Sequence, residues 1–324
     1  MSRRKQTSHE QRRYMKNQFL RNLSVLSLLL AIATCTTAFA QYSFRTIDVQ
    51  GAAQTTALGS NRAGQIVGDY NLGDALGLTG LEGFELTRGA FRTLNFPGAG
   101  ITGAREINSA GQIVGSYSIV RTPLLWHGFL FSGCHFTAIN FPGATATQAI
   151  GINTAAQIVG WYEDSRGGDH GFLLSGGTYT AVDVPGAAGT VAIGINDSGE
   201  IIGYYCLTSD CSGAKGFSDN AGTFTTIEVP GSTFTAAEGI NNTGEIVGLY
   251  VDTATNGHGF TLTAGVYTTV DFPGGLYTYC YGVNDLDQIT GTYGDLTGVN
   301  RAFLATPVSG GAARPSRVSR FPLR

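Results

Sequence analysis

The stretch that decides the fold is Gly151-Ile-Asn-Thr-Ala-Ala-Gln-Ile-Val-Gly-Trp-Tyr162, followed by His170-Gly-Phe-Leu-Leu174 and by Tyr179-Thr-Ala-Val-Asp-Val-Pro-Gly186. The same phrase occurs six times. Aligned on its asparagine, the copies carry Asn61, Asn108, Asn153, Asn196, Asn241 and Asn284, at spacings of 47, 45, 43, 45 and 43 residues. A period of this length belongs to propellers, solenoids and arrays. The glycine after the Ile-Val pair (Gly68, Gly115, Gly160, Gly203, Gly248, Gly291), the tyrosine two places on (Tyr70, Tyr117, Tyr162, Tyr205, Tyr250, Tyr293) and a later phenylalanine (Phe84, Phe129, Phe172, Phe217, Phe260, Phe303) are present in every copy. Between the tyrosine and the small residue before the phenylalanine stand 12, 10, 8, 10, 8 and 8 residues, which accounts for all the variation in period. Each copy is a constant unit with one loop of free length, and such loops usually share a face of the scaffold.

Within a unit, Val, Ile, Thr, Tyr and Phe come in runs of four to eight, punctuated by Gly, Asn and Pro-Gly, and nothing after residue 40 has helical spacing. In the third copy the strands are expected over roughly 147–152, 157–162, 171–175 and 179–184. Asn153-Thr-Ala-Ala156 suits a type I turn closed by a left-handed residue, with the Asn side chain capping it, so the invariant asparagine has a structural explanation. Four antiparallel strands per unit, six times over, predict an all-β, six-bladed β-propeller spanning residues 41–306. Residues 42–49 resemble the fourth strand of a unit, whereas the last copy stops after its third. The N-terminal strand is therefore expected to close the last blade, removing two exposed sheet edges.

Seven Lys/Arg residues precede an apolar run from Leu23 to Ala33 and the small residues that end at Ala38-Phe39-Ala40. This is the pattern of a signal peptide over residues 1–40 with cleavage near Ala40, and implies secretion to the periplasm or the exterior. No later segment approaches the length of a membrane-spanning helix. Cleavage takes seven of 20 Lys/Arg and one of 23 Asp/Glu, so the formal charge moves from −3 to −9. Four of the remaining arginines sit in a Gly/Ala/Pro/Ser tail over residues 307–324, expected to be disordered. The folded part thus has no basic footprint for nucleic acid. Of the four cysteines after residue 40, Cys206 and Cys211 flank one loop and are the expected disulfide; Cys134 and Cys280 lie in different copies and are expected to be unpaired.

The residue before each Gly/Ala-Phe is Glu82, His127, His170, Lys215, His258 or Arg301, and thirteen places later stand Asn95, Asn140, Asp183, Glu228 and Asp271. With a two-residue turn between the third and fourth strands these positions face each other across a hairpin. The pairs His127 with Asn140, His170 with Asp183, Lys215 with Glu228 and His258 with Asp271 are chemically matched. Arg301 has no local partner; ring closure supplies Asp48. One histidine per blade does not converge on a single ion, so no metal site is expected.

The pattern Gly-Ile-Asn-x-x-Gly-x-Ile-Val-Gly-x-Tyr followed by His-Gly-Phe-Leu resembles the HAF-repeat family of extracellular bacterial proteins over residues 41–306. Two departures stand out: His-Gly-Phe in place of His-Ala-Phe, and Thr-x-Ile-Asp-x-Pro-Gly in place of an Asp-Leu-Gly element. The resemblance implies secretion and a repeat fold, and no particular reaction.

Nucleophile-elbow, zinc-protease and phosphate-loop motifs are absent from the sequence. Carboxylates are assigned to the variable loops, among them Asp69, Asp74, Glu163, Asp164, Asp169, Asp210, Asp252 and Asp295; solvated loop charge explains them, and a glycosidase pair or a calcium site remains the alternative. The loops of the first two units are the longest and the most apolar. Leu76, Leu78, Leu124, Leu125 and Trp126, with Trp161 near the same surface, form the candidate partner-binding patch. The resulting expectation is a monomeric, secreted, non-enzymatic module without cofactor that binds a protein or a surface glycan through its variable-loop face. A secreted glycoside hydrolase or lyase and a structural cell-envelope protein are the alternatives.

Overall fold

The asparagine turn sets the blade. The Asn153 N–H donates to the Gln157 carbonyl at 3.1 Å and its Oδ1 accepts the Gln157 N–H at 3.0 Å, while Ala156 takes the left-handed conformation with φ of 56°. Gly64, Gly111, Gly199 and Gly244 occupy that left-handed position in four other copies and Asp287 in the sixth, which is why glycine dominates there.

In the computed structural model of the chain, these turns join antiparallel strands in six four-stranded sheets. After β1 (Tyr42–Ile47), the first blade comprises β2 (Gln54–Ser60), β3 (Ile66–Asn71), β4 (Leu81–Thr87) and β5 (Ala90–Leu94). The second has β6 (Ile101–Ile107), β7 (Ile113–Ser118), β8 (His127–Ser132) and β9 (His135–Ile139). The third has β10 (Ala146–Ile152), β11 (Ile158–Glu163), β12 (Asp169–Ser175) and β13 (Thr178–Val182). The fourth has β14 (Gly189–Ile195), β15 (Ile201–Cys206), β16 (Lys215–Asn220) and β17 (Thr223–Ile227). The fifth has β18 (Phe234–Ile240), β19 (Ile246–Val251), β20 (Gly257–Thr263) and β21 (Val266–Val270). The sixth has β22 (Thr278–Val283), β23 (Ile289–Gly294) and β24 (Asn300–Pro307), and β1 is its fourth strand. The expected six-bladed propeller, closed by its N-terminal strand, is the fold observed. The structure describes residues 41–73, 80–119 and 125–308, of which Tyr42–Pro307 form one compact unit; the segment expected to be a signal peptide and most of the tail lie outside them.

β1 pairs with β24 in a register that sets Arg45 opposite Leu304 and Ile47 opposite Ala302. Phe44 packs edge-on against Phe272 and Phe303 at 5.2 and 5.5 Å, and Ile47 is 2% exposed. The blade-closing strand is thus buried like its five counterparts.

Six apolar clusters form the core, each shared by adjacent blades; one joins Val67 and Leu94 of the first blade to Ala104, Ile107, Ile113, Tyr117 and Phe129 of the second. The invariant phenylalanines are the largest fully buried side chains. Each ring lies on the glycine of the neighbouring second strand. A Cβ on Gly160 would sit 1.9 Å from the Gln148 carbonyl and 2.9 Å from the Phe172 ring. The glycine therefore serves contacts within its own blade. Blade-to-blade contact falls to the tyrosine: Tyr117, Tyr162 and Tyr293 stack at 3.6 Å on Phe96, Phe141 and Phe272 of the Phe-Pro-Gly connections. A threonine at the start of each innermost strand holds these connections in place. The hydroxyls of Thr55, Thr102, Thr147, Thr190, Thr235 and Thr278 accept the N–H of Val49, Phe96, Phe141, Val184, Val229 and Phe272, respectively.

Candidate functional site: the loop face and the axial channel

The alternation of an up-and-down blade puts the asparagine turns on one face of the propeller and the variable loops, with the Pro-Gly connections, on the other. Three of the variable loops are as regular as the asparagine turns. Asp164 Oδ1 accepts the N–H of Arg166 and Gly168, both at 2.8 Å, and Asp252 and Asp295 cap the equivalent loops in the fifth and sixth blades. Those bonds favour the charged carboxylate and hold the Asp164 pKa below its ordinary range. In the fourth blade the loop is clipped by a Cys206–Cys211 disulfide, with 4.8 Å between the Cα atoms; Cys134 is an exposed free thiol and Cys280 a buried one.

The thirteen-residue pairs meet at the edge of this face. His127 Nδ1 lies 2.8 Å from Asn140 Oδ1, His170 Nδ1 lies 3.1 Å from Asp183, His258 Nδ1 lies 3.0 Å from Asp271, and Lys215 Nζ donates to Glu228 at 2.9 Å. Arg301 Nη1 reaches Asp48 at 3.4 Å across the ring closure. The sequence did not reveal that three of these bases have a second acid. The loop aspartates Asp164, Asp252 and Asp295 approach His170, His258 and Arg301 at 3.7, 3.5 and 3.1 Å, so each base ties its variable loop to the fourth strand. Among the described residues, no group of three or more His, Cys, Asp or Glu is arranged to hold a metal ion.

Leu76, Leu78, Leu124 and Asp74 lie outside the described residues. Leu125 is exposed at the start of the strand leading to His127, and Trp126 and Trp161 are half-buried in the second and third blades. Leu72, Ile119, Leu207, Leu276 and Leu296, between 54% and 81% exposed, belong to the same face, being in variable loops or Pro-Gly connections. Leu125 included, six of the nine large apolar side chains exposed among the described residues of Tyr42–Pro307 are there.

A second constellation went unrecognised in the sequence. Every innermost strand has a β-bulge just before its asparagine turn, at Ala57/Gly59, Ala104/Glu106, Ala149/Gly151, Ala192/Gly194, Ala237/Gly239 and Cys280/Gly282. A bulge redirects the extra side chain, and here it is aimed at the propeller axis. Leu58, Arg105, Ile150, Ile193, Glu238 and Tyr281 line an axial chamber that is open to solvent. The next position is glycine in five blades because the strands converge there: a Cβ on Gly151 would lie 2.3 Å from the Ile193 carbonyl, and one on Gly282 would lie 2.4 Å from the Leu58 carbonyl. Glu106 is the exception. It lines both the chamber and a funnel of about 630 Å³ that opens between the asparagine turns. Around the funnel Asn61, Asn108, Asn153, Asn241 and Asn284 donate from Nδ2 to the asparagine carbonyl of the following blade at 3.0–3.3 Å, which locks the inner ring.

The chamber is charged. Burial pushes the Glu106 carboxyl up to about 8, opposed only by its bond to the Ile107 N–H. Burial likewise raises Glu238 to about 7, with Arg105 pulling the other way. Asp69, which sequence reasoning put in a loop, is in β3 beside this cluster; burial raises it, while Arg105 and the Thr56 hydroxyl oppose the shift. Arg105 Nε is a buried donor without an acceptor. The signal for this cluster was the departure of Arg105, Glu106 and Glu238 from otherwise apolar or glycine positions of the repeat.

No family model matches the chain, and no curated protein matches it. Solved structures do. TolB from Acinetobacter baumannii superposes with a TM-score of 0.52 at 11% identity, covering 75% of this chain and 63% of that one. A protein of unknown function from Dyadobacter fermentans gives 0.50 at 11%, covering 82% and 99%. The fucose-specific lectin from Aleuria aurantia gives 0.48 at 13%, covering 82% and 95%. Likeness at this level of identity shows the propeller and nothing of its ligands.

Proposed function

We propose that the protein is a secreted, non-enzymatic propeller of the HAF-repeat type that binds a protein or a surface glycan through its variable-loop face. The observation that carries this reading is the distribution of exposed apolar side chains: Leu72, Ile119, Leu125, Leu207, Leu276 and Leu296 share one face, whereas the opposite face is a hydrogen-bonded ring of asparagine turns. Loops on a rigid scaffold are the usual carriers of binding, and exposed apolar side chains on them are candidate contacts. Leu207 and Leu296 are presented by loops held by the Cys206–Cys211 clip and by Asp295, with little entropy left to lose on binding. The reading also rests on the export pattern of residues 1–40 and on the acidic balance of the chain after residue 40.

Glycan-array binding by the protein lacking residues 1–40, compared with a Leu72→Ser, Ile119→Ser, Leu125→Ser variant, tests it. Loss of at least tenfold in the apparent affinity of the variant, at unchanged melting temperature, is expected. Full binding by the variant rejects the loop face as the site, and turnover of a polysaccharide abolished by changing loop acids rejects the non-enzymatic reading.

A further inference from the structure

The axial chamber is independent of the loop face and is not a by-product of the fold. Five of six blades fill the narrowest ring with glycine, and three of six fill the bulge ring with Leu58, Ile150 and Ile193. The remaining positions bring the half-buried Arg105, Glu106, Glu238 and Tyr281 to one space on the axis. Buried polar groups are normally satisfied by protein partners, and here Arg105 Nε is not. Among the described residues no side chain donates to the Glu106 or Glu238 carboxylates, and Arg105 Nε faces no acceptor. Arg105 and Glu238 come from the second and fifth blades, three places apart in a ring of six, so they stand on opposite walls. No ion pair joins them.

Arg105 and Glu106 on β6, Glu238 on β18 and Tyr281 on β22 line this space, and Asp69 on β3, Tyr204 on β15 and Tyr279 on β22 interact electrostatically with them. One guanidinium stands among three carboxyl groups and favours the charged form of both Asp69 and Glu238. Glu106 and Glu238 therefore lack a side-chain donor and Arg105 Nε lacks an acceptor, with Tyr281 lining the same space.

We propose that the axial chamber binds a small molecule that carries an ammonium group and an oxygen acceptor on one short frame, with the ammonium at Glu238 and Glu106 and the oxygen at Arg105. An amino alcohol or an amino acid has this chemistry; a neutral polyol lacks the cation. Because burial holds both glutamates toward the protonated form, a bound ammonium ionises them, and binding releases protons. The same linkage makes binding tighter as the pH rises through the carboxyl range.

Calorimetric titration of the protein lacking residues 1–40 with ethanolamine, and with glycerol as the hydroxylated probe without a cation, tests the proposal. Millimolar affinity is expected for so small a probe. Ethanolamine should bind and glycerol should not, the heat should change between two buffers of different ionisation enthalpy, and affinity should be higher at pH 8 than at pH 6. Glu238→Gln should weaken ethanolamine at least tenfold, and Arg105→Gln should weaken it by less than Glu238→Gln. No ethanolamine binding, equal binding by Glu238→Gln, or a heat independent of buffer overturns the proposal. Should Glu238→Gln not fold, the buffer dependence and the glycerol comparison on the unaltered protein decide. Failure here leaves the loop-face reading intact, since no loop-face residue takes part.

Discussion

Ring closure by β1 can be tested through one side chain. Ile47 occupies the last position of the sixth blade's fourth strand, and Leu94, Ile139, Val182, Ile227 and Val270 occupy it in the other five. All six are between 2% and 6% exposed. Ile47 packs with Ala57, Ile66 and Phe84 of the first blade and with Ala302 of the sixth, so its removal opens a cavity at the seam. Truncating a buried isoleucine to alanine costs about 2–5 kcal/mol from lost transfer energy and residual cavity. In a domain of this size each kcal/mol moves the melting temperature by roughly 2–4 °C. Ile47→Ala should therefore lower it by roughly 6–12 °C for a loss near 3 kcal/mol, matching Ile227→Ala, where no chain terminus is near. Thermal unfolding followed by near-ultraviolet circular dichroism, with urea midpoints alongside, measures both. If Ile47→Ala stays within about 0.5 kcal/mol of the unaltered protein, as for an ordinary surface substitution, while Ile227→Ala loses several, β1 is not part of the closed ring and the reasoning is refuted.

Three further outcomes are expected from the inner strands. Gly151→Ala puts a Cβ 2.3 Å from the Ile193 carbonyl, which belongs to a bulge that cannot retreat, and should cost about 1–3 kcal/mol in urea unfolding; a neutral or stabilising result would mean the strands do not converge as described. Asn241→Ala strands the N–H groups of Thr243 and Glu245 and cuts the link to the Asn284 carbonyl, so a loss of about 1–3 kcal/mol is expected, checked by urea midpoint against the exposed substitution Asn242→Ala. The third outcome concerns pH. Glu106 has a folded pKa of about 8 against an ordinary 4.5, so between those values the folded state keeps a proton that the unfolded chain has released. Its contribution is complete below the unfolded pKa and is lost as pH rises toward 8, at roughly 1.4 kcal/mol per unit for one group. Glu106→Gln should flatten the fall in stability between pH 5 and pH 8, leaving the share due to Glu238; an unchanged slope would show that Glu106 is not desolvated as described.

The fold was legible because its information is repeated. One unit such as Thr147–Val184 would be an ambiguous run of apolar residues and glycines; six in register fix the turns, the strand count and the invariant positions. The cross-hairpin pairs were legible for the same reason, since a fixed offset of thirteen residues places His170 opposite Asp183 whatever the loop before it does. Two kinds of information did not travel this way. The β-bulge before each asparagine shifts the alternation by one residue, so a strict period of two assigns Arg105 and Glu238 to the wrong side of their strands. Reading each loop by composition also concealed that Asp164, Asp252 and Asp295 are turn caps rather than free loop charges.

Constancy and departure thus carry different content in this chain. Positions constant across all six copies, such as Asn153, Gly160 and Phe172, bond or pack against backbone that every blade shares, and changing any of them disturbs the ring. A side chain present in one copy alone cannot be there for the ring, because five other blades hold the same geometry without it. Glu106 is the sharpest instance: in four of the other five blades a Cβ at its position would lie under 3 Å from a neighbour, yet there it carries a carboxyl group whose burial disfavours its charged form. An ionisable group kept where the fold would be satisfied by glycine adds nothing to packing that its neighbours need. The same reasoning applied to Arg105 and Glu238, at a ring otherwise filled by Leu58, Ile150, Ile193 and Tyr281, locates specificity at the axis without reference to any relative.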